Sequence, residues 1–308
     1  MGTPDFAVPC LEALAAEETV EVKGVITQPD KKKGRGQKVK TTPVKQEAVD
    51  NDLEIFQPKD INSEAAIDKL TDWAPELIVV VAYGQILGEQ VLNLPERGCV
   101  NVHASLLPKY RGAAPIHWSI INGEEKTGIT TMYMDEGMDT GDMILKQEVA
   151  ITSEETAGSL HDKLAQEGAE LLLETIKQIA AGTAPRKEQD EEKATYAPKL
   201  DKAECEVDWT QPVEKVRNVI RGLNPWPGAY TYLHGQRLKL YRSEVYSESN
   251  QPVDPGTIVK TDKQEGIVVQ TGDGQLLLTK LQPAGKQKMA AVDYLLGHEL
   301  ADGIKLGN

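Results

Sequence analysis

The chain has 308 residues, an apolar content of 40% and a formal net charge of −14. This length and apolar content suffice for two globular domains, each with a core of its own. The longest apolar run has six residues and no basic, apolar leader follows Met1, so we expect a cytoplasmic protein with no membrane contact. The acidic balance argues against indiscriminate binding to nucleic acid.

The charge is unevenly distributed along the chain. Residues 203–308 carry 12 basic and 13 acidic side chains, so almost all of the excess negative charge lies in the first 202 residues. Within that acidic part, residues 31–45 contain seven basic residues and no acidic one. A glycine-spaced cationic loop can follow a phosphate backbone, whereas an ordinary solvated surface mixes both signs of charge. We therefore predict a nucleic-acid contact formed by Lys31, Lys32, Lys33, Arg35 and Lys38.

The cysteines predict neither a disulfide framework nor a metal site. Cys10, Cys99 and Cys205 are widely spaced and odd in number, and no Cys-x-x-Cys or histidine-rich cluster accompanies them. The acidic stretch over residues 134–143 fits no calcium-loop pattern and has no nearby histidine. We expect buried free thiols and no metal.

Strand and helix patterns alternate through the first part of the chain. Strands are predicted over residues 20–27, 77–82, 100–103, 129–134 and 144–151. Helices are predicted over residues 9–18, 43–49, 65–73, 115–122 and 156–180, with Thr42 as an N-cap and Pro43 at the first helical position. This alternation predicts a doubly wound, mostly parallel α/β sheet, whose ligands bind beyond the carboxyl ends of the strands.

A second domain follows the long helix. Residues 183–202 are rich in Pro, Lys, Glu and Asp and have the composition of a linker, which assigns residues 1–182 to the α/β domain. Beyond a helix over residues 213–223, short strands are predicted over 229–233, 238–245, 257–260, 266–270 and 276–281. Five short strands at this spacing predict a small barrel of the oligonucleotide-binding type over residues 203–308.

Two polar residues alternate with valines in the third predicted strand. Asn101 and His103 therefore share one face, while Val100 and Val102 point into the core. An imidazole can accept and return a proton near neutral pH, and an amide NH2 can stabilise an oxyanion. A hydrogen-bonded core histidine is the alternative that the pattern leaves open, but the pair favours acyl transfer.

A carboxylate that could orient His103 lies a little over thirty residues later. Asp139 is in a glycine-interrupted acidic loop directly after the fourth strand, and a parallel sheet would place that loop at the same end as His103. Asp135, Glu136 and Asp142 are the alternatives for this role.

Apolar residues near His103 predict a site for a flat ring. Leu106, Leu107 and Pro108, with Ile86 and Leu87, could form its walls, although core packing explains each leucine equally well. Ser105 lacks the Gly-x-Ser-x-Gly context of a nucleophile and is expected to donate a hydrogen bond in a loop.

Taken together, these motifs resemble those of the methionyl-tRNA formyltransferase family over nearly the whole chain. The matching segments include Gly2-Thr3-Pro4-Asp5-Phe6, residues 101–108, residues 111–116, residues 139–142, Asn224-Pro225-Trp226-Pro227 and residues 281–286. The resemblance implies transfer of the formyl group of 10-formyltetrahydrofolate to the α-amino group of methionine on initiator tRNA. We also expect the protein to be a monomer.

The resemblance also implies roles for residues at matching positions. Asn101 would stabilise the oxyanion, His103 would handle the amine proton, and Asp139 would hold His103. Ser105, Leu106, Leu107 and Pro108 would contact folate. Arg35 would meet the acceptor stem of the tRNA, and Lys286 and Lys288 would hold the tRNA from the barrel domain.

The amino end departs from the family pattern. Family members have a strand before the Gly-Thr-Pro-Asp-Phe turn, whereas Met1 stands immediately ahead of it here. Without that strand a doubly wound sheet would have unpaired backbone groups, so we expect that translation starts upstream or that the sequence is shortened.

Two other functions remain open at the level of sequence. A folate-dependent enzyme could formylate a small-molecule amine instead, although the basic loop and second domain disfavour this. Alternatively, the chain could be a non-catalytic RNA-binding protein in which the α/β domain is inert.

Overall fold

The protein is described by a computed structural model that covers residues 1–33 and 38–307. Its chain forms two compact units, and each is built from several stretches of sequence. Unit 1 comprises Met1–Pro115, Thr127–Ala150 and His161–Ala197, and unit 2 comprises Ile116–Lys126, Ile151–Leu160 and Pro198–Asn308. No helix within the described ranges is long and apolar enough to cross a membrane.

Helices and strands alternate through the first 180 residues, as the sequence predicts. In chain order they are α1 (Val8–Ala16), β1 (Val25–Ile26), β2 (Lys31–Lys33), β3 (Lys38–Lys40), α2 (Pro43–Asp50), β4 (Ile55–Phe56), α3 (Glu64–Trp73), β5 (Ile78–Val80), α4 (Glu89–Leu92), β6 (Cys99–His103), α5 (Pro115–Ile121), β7 (Lys126–Tyr133), β8 (Met143–Ala150) and α6 (Ala157–Ala180).

The strands of unit 1 form two short pairs, β1 with β4 and β2 with β3, and a four-stranded sheet. β1 pairs in parallel with β4, and the larger sheet has the order β5-β6-β7-β8. Gly2 links the pair of β1 and β4 to the four-stranded sheet: it forms a parallel bridge with Val81, and its N–H donates to Ile26 O at 2.9 Å. The backbone at Gly2 therefore lies between β1 and β5.

Strand direction within the four-stranded sheet is mixed. β5 and β6 are parallel, but β6 and β7 are antiparallel, with Val100 opposite Tyr133 and His103 opposite Thr130. The α/β class is confirmed. The prediction that the strand before the acidic loop runs parallel to the strand of His103 is wrong, because hydrophobic pattern does not encode strand direction.

A cavity of about 510 Å³ lies next to Met1 and Gly2 in unit 1. Most of its walls are apolar, and they include Cys10, Leu14 and Leu77. Asn101, His103 and Asp139 do not line it. The candidate catalytic residues are thus separate from this cavity.

The sequences of α2 and α6 contain the features that stabilise each helix. Thr42 caps α2 as predicted, since its hydroxyl accepts from Lys45 N–H at 3.1 Å, and Pro43 occupies the first turn where no N–H partner is needed. On α6, Leu164 and Leu172 are fully buried at helical spacing. The amphipathic helix that closes the predicted domain is therefore present.

Unit 2 contains an antiparallel β domain in the part of the chain where the sequence predicts a small barrel. Its remaining elements are α7 (Val213–Gly222), β9 (Ala229–Leu233), β10 (Gln236–Ser247), β11 (Ile258–Asp262), β12 (Gly266–Gln270), β13 (Gln275–Pro283), β14 (Met289–Ala290) and α8 (Ala291–Gly297). The strand order is β11-β12-β13-β10-β9, and β14 pairs with β13. All the strand pairs of this sheet are antiparallel, and buried Leu240, Leu276 and Leu278 contribute to its core.

Candidate active site

Asn101 and His103 lie on the same face of β6, as their alternation with valines predicts. Val100 and Val102 are buried at 0% and 3% exposure on the other face. His103 is itself only 6% exposed, and Asn101 is half-buried. The strand thus fixes an amide and an imidazole two residues apart at a partly enclosed position.

The hydrogen bonds of His103 determine which ring nitrogen is available for chemistry. Nε2 lies 3.0 Å from Tyr110 O, and a carbonyl oxygen can only accept. Nε2 therefore carries the hydrogen of the neutral ring, and Nδ1 holds the lone pair. Nδ1 lies 3.6 Å from Oδ1 of Asp139, so a proton gained there would face a carboxylate. In a protonated ring, the Nε2–H group would face Tyr110 O and the Nδ1–H group would face the carboxylate of Asp139.

The carboxylate of Asp139 is held by two amides in addition to its contact with His103. Oδ2 accepts from the backbone N–H of Gly112 at 2.8 Å, and Oδ1 accepts from Nδ2 of Asn101 at 3.3 Å. The Asp139 side chain keeps 17% exposure. Because the Asn101 amide has two N–H groups, one of them is left for a further acceptor. An amide, an imidazole and a carboxylate therefore meet at one place.

Asp139 reaches this place by a route that differs from the predicted one. Since β7 is antiparallel to β6, its last residue, Tyr133, lies beside the start of β6. The loop that follows must fold back to bring Asp139 to His103, and Asp139 adopts a left-handed backbone conformation there (φ +55°). The predicted proximity is observed, but the parallel-sheet argument for it is wrong.

Asp135, one of the competing acidic residues of the loop, has a different role. Asp135 holds the loop itself, because its Oδ1 accepts from the hydroxyl of Thr140 at 2.7 Å and from Gly137 N–H at 3.0 Å. A Cβ at Gly137 would lie 1.9 Å from Thr140 Oγ1, so a larger residue there would displace the Thr140 side chain. Among the acidic residues of this loop, the geometry favours Asp139 as the partner of His103.

The predicted folate segment is partly internal to the protein. Ser105 and Leu107 are fully buried: the Ser105 hydroxyl donates to Lys109 O at 2.6 Å, and Leu107 packs with Met132 and Met143. Leu106 and Pro108 are half-buried. In this structure Ser105 and Leu107 thus hold the segment, and contact of residues 105–108 with folate stays a prediction.

The loop around Ile86 presents an apolar surface on a fixed backbone. Ile86 is 85% exposed, whereas neighbouring Leu87 is 4% exposed. Asn62 donates to Ile86 O at 3.0 Å and accepts from Gly88 N–H at 2.6 Å, so both sides of the loop are tied to one side chain. A large exposed aliphatic group on a well-bonded loop suits contact with a flat ligand.

The predicted basic segment forms a two-stranded antiparallel hairpin. β2 and β3 pair with Lys31 opposite Lys40 and Lys33 opposite Lys38. At its base, Asp30 accepts from Lys45 at 2.6 Å and from Gln57 at 2.8 Å. Arg35, a predicted tRNA contact, lies outside the described residues. For Lys32, Lys33 and Lys38 only the backbone is described.

Lys286 and Lys288 are both exposed in the connection between β13 and β14 in unit 2. The Lys288 ammonium lies 3.8 Å from the ring centroid of Tyr241. Partial burial lowers the pKa of Lys288, and the positive charges of Lys280 and Lys239 lower it further. Lys239, Lys280 and Lys288 form a cationic cluster, in which Lys288 covers the buried ring of Tyr241. Sequence reasoning missed Lys239, Lys280 and Tyr241.

Sequence reasoning also missed the residues that support Asp139. Gln189 donates from Nε2 to Asp139 O at 2.7 Å, and buried Arg111 donates to Oε1 of Gln189 at 3.1 and 2.9 Å. Arg111 belongs to a motif whose chemistry is not evident from its residues alone, and Gln189 lies in the predicted linker. The only available signal was an arginine directly before Gly-Ala-Ala-Pro-Ile.

No group of three or more His, Cys, Asp and Glu side chains is arranged to hold a metal ion in the described part of the chain. The groups that converge are instead suited to proton transfer beside a developing oxyanion. Nδ1 of His103 can take a proton, Asp139 can stabilise the resulting cation, and Asn101 can donate to an oxygen. Such a combination is chemically suited to transfer of an acyl group to an amine.

The chain belongs to the formyl transferase family. The family model described as formyl transferase matches residues 1–176, and the model described as formyl transferase, C-terminal domain, matches residues 199–299. Among curated proteins, the chain is 51% identical over 311 residues to the methionyl-tRNA formyltransferase of Halothermothrix orenii, covering 100% of this chain and 98% of that protein. It is 50% identical to the protein of the same name from Acetivibrio thermocellus, with the same coverage.

A solved structure shares the fold at low identity. The N-formyltransferase of Helicobacter canadensis in complex with folinic acid and dTDP-3-aminofucose matches with a TM-score of 0.66 and 19% identity, over 92% of this chain and 97% of that one. This similarity confirms the predicted arrangement of an α/β domain followed by a β domain.

Proposed function

We propose that this protein transfers the formyl group of 10-formyltetrahydrofolate to the α-amino group of methionine on initiator tRNA. The observation that carries the proposal is the meeting of Asn101, His103 and Asp139 in a member of the formyl transferase family. The full-length relatives at about half identity, which bear the name methionyl-tRNA formyltransferase, support the choice of acceptor.

Each of the three residues has a defined task in this reaction. Nδ1 of His103 accepts the proton that the methionine amine loses as its nitrogen bonds to the formyl carbon. The free N–H of Asn101 donates to the formyl oxygen as it becomes an oxyanion. Asp139 stabilises the protonated His103 ring. His103 then returns the proton to the folate nitrogen as the carbon–nitrogen bond to folate breaks.

The residues around the site fit a folate ring. Ile86 is 85% exposed on a loop that Asn62 ties on both sides, and Leu106 and Pro108 are half-buried next to the strand of His103. Ser105 and Leu107 would act by holding residues 105–108 in place. Folate supplies the activated formyl group, and these residues would place it within reach of Asn101.

For tRNA we propose two cationic surfaces. The first is the hairpin of β2 and β3 with Arg35, Lys31, Lys32, Lys33 and Lys38, whose base is fixed by the ion pair of Asp30 and Lys45. The second is in unit 2, where Lys288 lies with Lys239 and Lys280, and where exposed Lys286 is two residues away in the chain. Clustered basic side chains on a surface are typical of sites that bind phosphates.

The decisive test is a formyl-transfer assay with 10-formyltetrahydrofolate and methionyl initiator tRNA, run in parallel with small amines such as amino sugars. We expect turnover with the charged tRNA and little with the small amines. A preference for small amines would overturn the choice of acceptor. His103→Ala should abolish turnover and leave tRNA binding intact, whereas a purely RNA-binding protein would lose nothing in this variant.

The same proposal includes the surroundings of the enzyme. An enzyme that acts on charged tRNA works where translation occurs, so we expect a cytoplasmic protein, and the free state of Cys10, Cys99 and Cys205 agrees with a reducing compartment. We expect it to act as a monomer. Sedimentation at assay concentration tests this: a mass near 33.7 kDa is expected, and a dimer would contradict it.

A further inference from the structure

Gln189 connects a buried arginine to the backbone of Asp139. Its side-chain amide is 5% exposed and makes four hydrogen bonds. Oε1 accepts from Nε and Nη2 of Arg111 at 3.1 and 2.9 Å, and Nε2 donates to Asp139 O at 2.7 Å and to Gly141 O at 2.9 Å. Both lone pairs and both N–H groups of the amide are therefore used.

The arginine fixes the orientation of this amide. A guanidinium has only donors, so the oxygen of Gln189 must face Arg111 and its NH2 group must face the two carbonyls. Arg111 is itself immobilised, because its side chain is fully buried and forms a two-point ion pair with Glu191 at 2.9 and 2.7 Å. A rotation of the Gln189 amide by 180° would break all four hydrogen bonds.

The two carbonyls that Gln189 binds flank a turn that needs support. Asp139 has a φ of +55°, a left-handed conformation that costs free energy in a residue with a Cβ. The neighbouring glycine, Gly141, is packed so closely that a Cβ would lie 2.0 Å from Tyr133 O. Hydrogen bonds to the carbonyls of Asp139 and Gly141 hold this turn closed, and the turn sets where the Asp139 carboxylate points.

The same arginine is adjacent to the group that holds the carboxylate itself. Gly112, the next residue, donates its N–H to Oδ2 of Asp139 at 2.8 Å. The backbone N–H of Arg111 donates to Thr195 O at 2.8 Å, and the Arg111 carbonyl oxygen accepts from Ala197 N–H at 2.7 Å. Residues 189–197 therefore fix the position of Asp139 relative to β6 through two routes, the side chain of Gln189 and the backbone of Arg111 and Gly112.

We propose that Gln189 is a positioning residue for the formyl transfer, which acts by holding the backbone of Asp139 so that its carboxylate stays opposite Nδ1 of His103. This inference rests on the proposed function. Gln189 binds the backbone carbonyl of Asp139 and not its carboxylate, so its effect passes through Asp139. A misplacement of about 1 Å at such a group can cost on the order of 100-fold in rate.

The test compares Gln189→Leu with the unchanged enzyme in the formyl-transfer assay. We expect kcat to fall about 10- to 100-fold, while KM for folate and for methionyl-tRNA changes by less than about threefold. Gln189→Glu should be impaired to a similar extent, because its carboxylate can accept from Arg111 but has no N–H for the two carbonyls. Activity retained in Gln189→Glu would overturn the inference.

Gln270→Leu is a matched control for the loss of a buried amide. Gln270 is 1% exposed in unit 2, and its Nε2 donates to the carbonyls of Thr271 and Gly274 at 3.0 Å each. We expect this variant to lower Tm about as much as Gln189→Leu does and to leave kcat unchanged. Equal losses of kcat in both variants would show that Gln189 acts only through stability.

A double-mutant cycle separates positioning from any other effect at the site. If Gln189 acts through Asp139, Gln189→Leu should reduce kcat little further in an Asp139→Asn background. Full multiplication of the two effects would overturn the inference. If the unchanged enzyme shows no formyl transfer, the proposed function is wrong. If the unchanged enzyme and the Gln189→Leu variant are equally active, the proposed function stands and only this inference is wrong.

Discussion

The backbone N–H of Gly112 donates to Oδ2 of Asp139 at 2.8 Å, across a sequence separation of 27 residues. This contact needs a glycine for two reasons. Gly112 has a φ of +113°, which L residues rarely adopt, and a Cβ at this position would lie 2.9 Å from Ala197 O. The residue whose N–H binds the carboxylate of Asp139 is therefore sterically constrained by the backbone of Ala197.

Gly112→Ala should lower both stability and turnover. Backbone strain of this kind costs about 1–3 kcal/mol, and the contact with a backbone oxygen can be relieved only by moving the chain. Because that movement displaces the N–H that Asp139 accepts, we expect kcat to fall about 10-fold or more. Urea unfolding and steady-state kinetics with methionyl-tRNA measure the two effects.

Gly182→Ala is the appropriate control for this variant. Gly182 also has a positive φ, +69°, but a Cβ there would meet no atom within 4 Å. We expect a loss of about 1–2 kcal/mol from the backbone term alone and an unchanged kcat. If both variants kept full turnover, the Gly112 N–H would not be important for the position of Asp139.

Replacement of Asn101 tests the stabilisation of the oxyanion. The Asn101 amide already donates one N–H to Asp139 at 3.3 Å, and the second is the proposed donor to the formyl oxygen. Asn101→Ala should reduce kcat by about 100- to 1000-fold, as loss of one oxyanion donor does elsewhere. Asn101→Asp should be at least as damaging, because it also places a negative charge beside Asp139. Single-turnover rates measure this, and unchanged rates would eliminate Asn101 as the donor.

The thiols of Cys10 and Cys99 should be unreactive in the folded protein. Burial raises the pKa of each to about 12, from an ordinary value of 9.0. The thiolate is the reactive form of cysteine. A pKa of about 12 instead of 9.0 lowers the thiolate population at pH 8 by roughly 1000-fold. Labelling with an aromatic disulfide should be slow in buffer and fast in urea, and peptide mapping that found rapid native labelling of either residue would contradict this.

The same pKa values predict how stability depends on pH at the alkaline end. The folded state keeps its thiol protons while the unfolded state loses them above about pH 9. The contribution of these thiols to stability is therefore fully present below pH 9 and is lost as the pH rises toward 12. Replacement of both by alanine, compared at pH 8 and pH 10 by urea unfolding, should flatten that decline.

The sequence predicted those features of the fold that depend only on residues close together in the chain. Thr42 and Pro43 begin α2 because a hydroxyl cap and a residue without an N–H suit the first helical turn. The alternation of Asn101 and His103 with valines predicted a shared face on β6, because the period of a strand is two residues. Such signals require no knowledge of distant contacts.

What the sequence could not provide is the direction of β7 and the role of Gln189. Parallel and antiparallel neighbours have the same hydrophobic pattern, so the loop of Asp139 was predicted beside His103 for the wrong reason. Gln189 lies 50 residues from Asp139 in a polar segment with the composition of a linker. Its importance comes from one buried side-chain amide. The composition of a whole segment does not reveal a single buried residue among exposed polar neighbours.

The cationic cluster of unit 2 predicts a salt-dependent contact with tRNA. Partial burial and the charges of Lys280 and Lys239 lower the pKa of Lys288, so a phosphate placed there would relieve repulsion among the three lysines. Lys288→Ala should raise KM for methionyl-tRNA, leave KM for folate unchanged, and reduce the slope of log KM against log salt concentration by about 1. Kinetics between 50 and 200 mM salt, about the range over which such contacts weaken, give this slope.

Lys260 is the matched control, because its charge is already neutralised within the protein. Its ammonium lies 2.7 Å from Glu265 and 3.2 Å from Asp262, and these bonds, with one to the Tyr246 hydroxyl, raise its pKa. A lysine held by two carboxylates releases no counterion when tRNA binds, so Lys260→Ala should leave both KM and the salt slope unchanged. Equal effects of the two substitutions would mean that the tRNA responds to net charge alone and that Lys288 makes no specific phosphate contact.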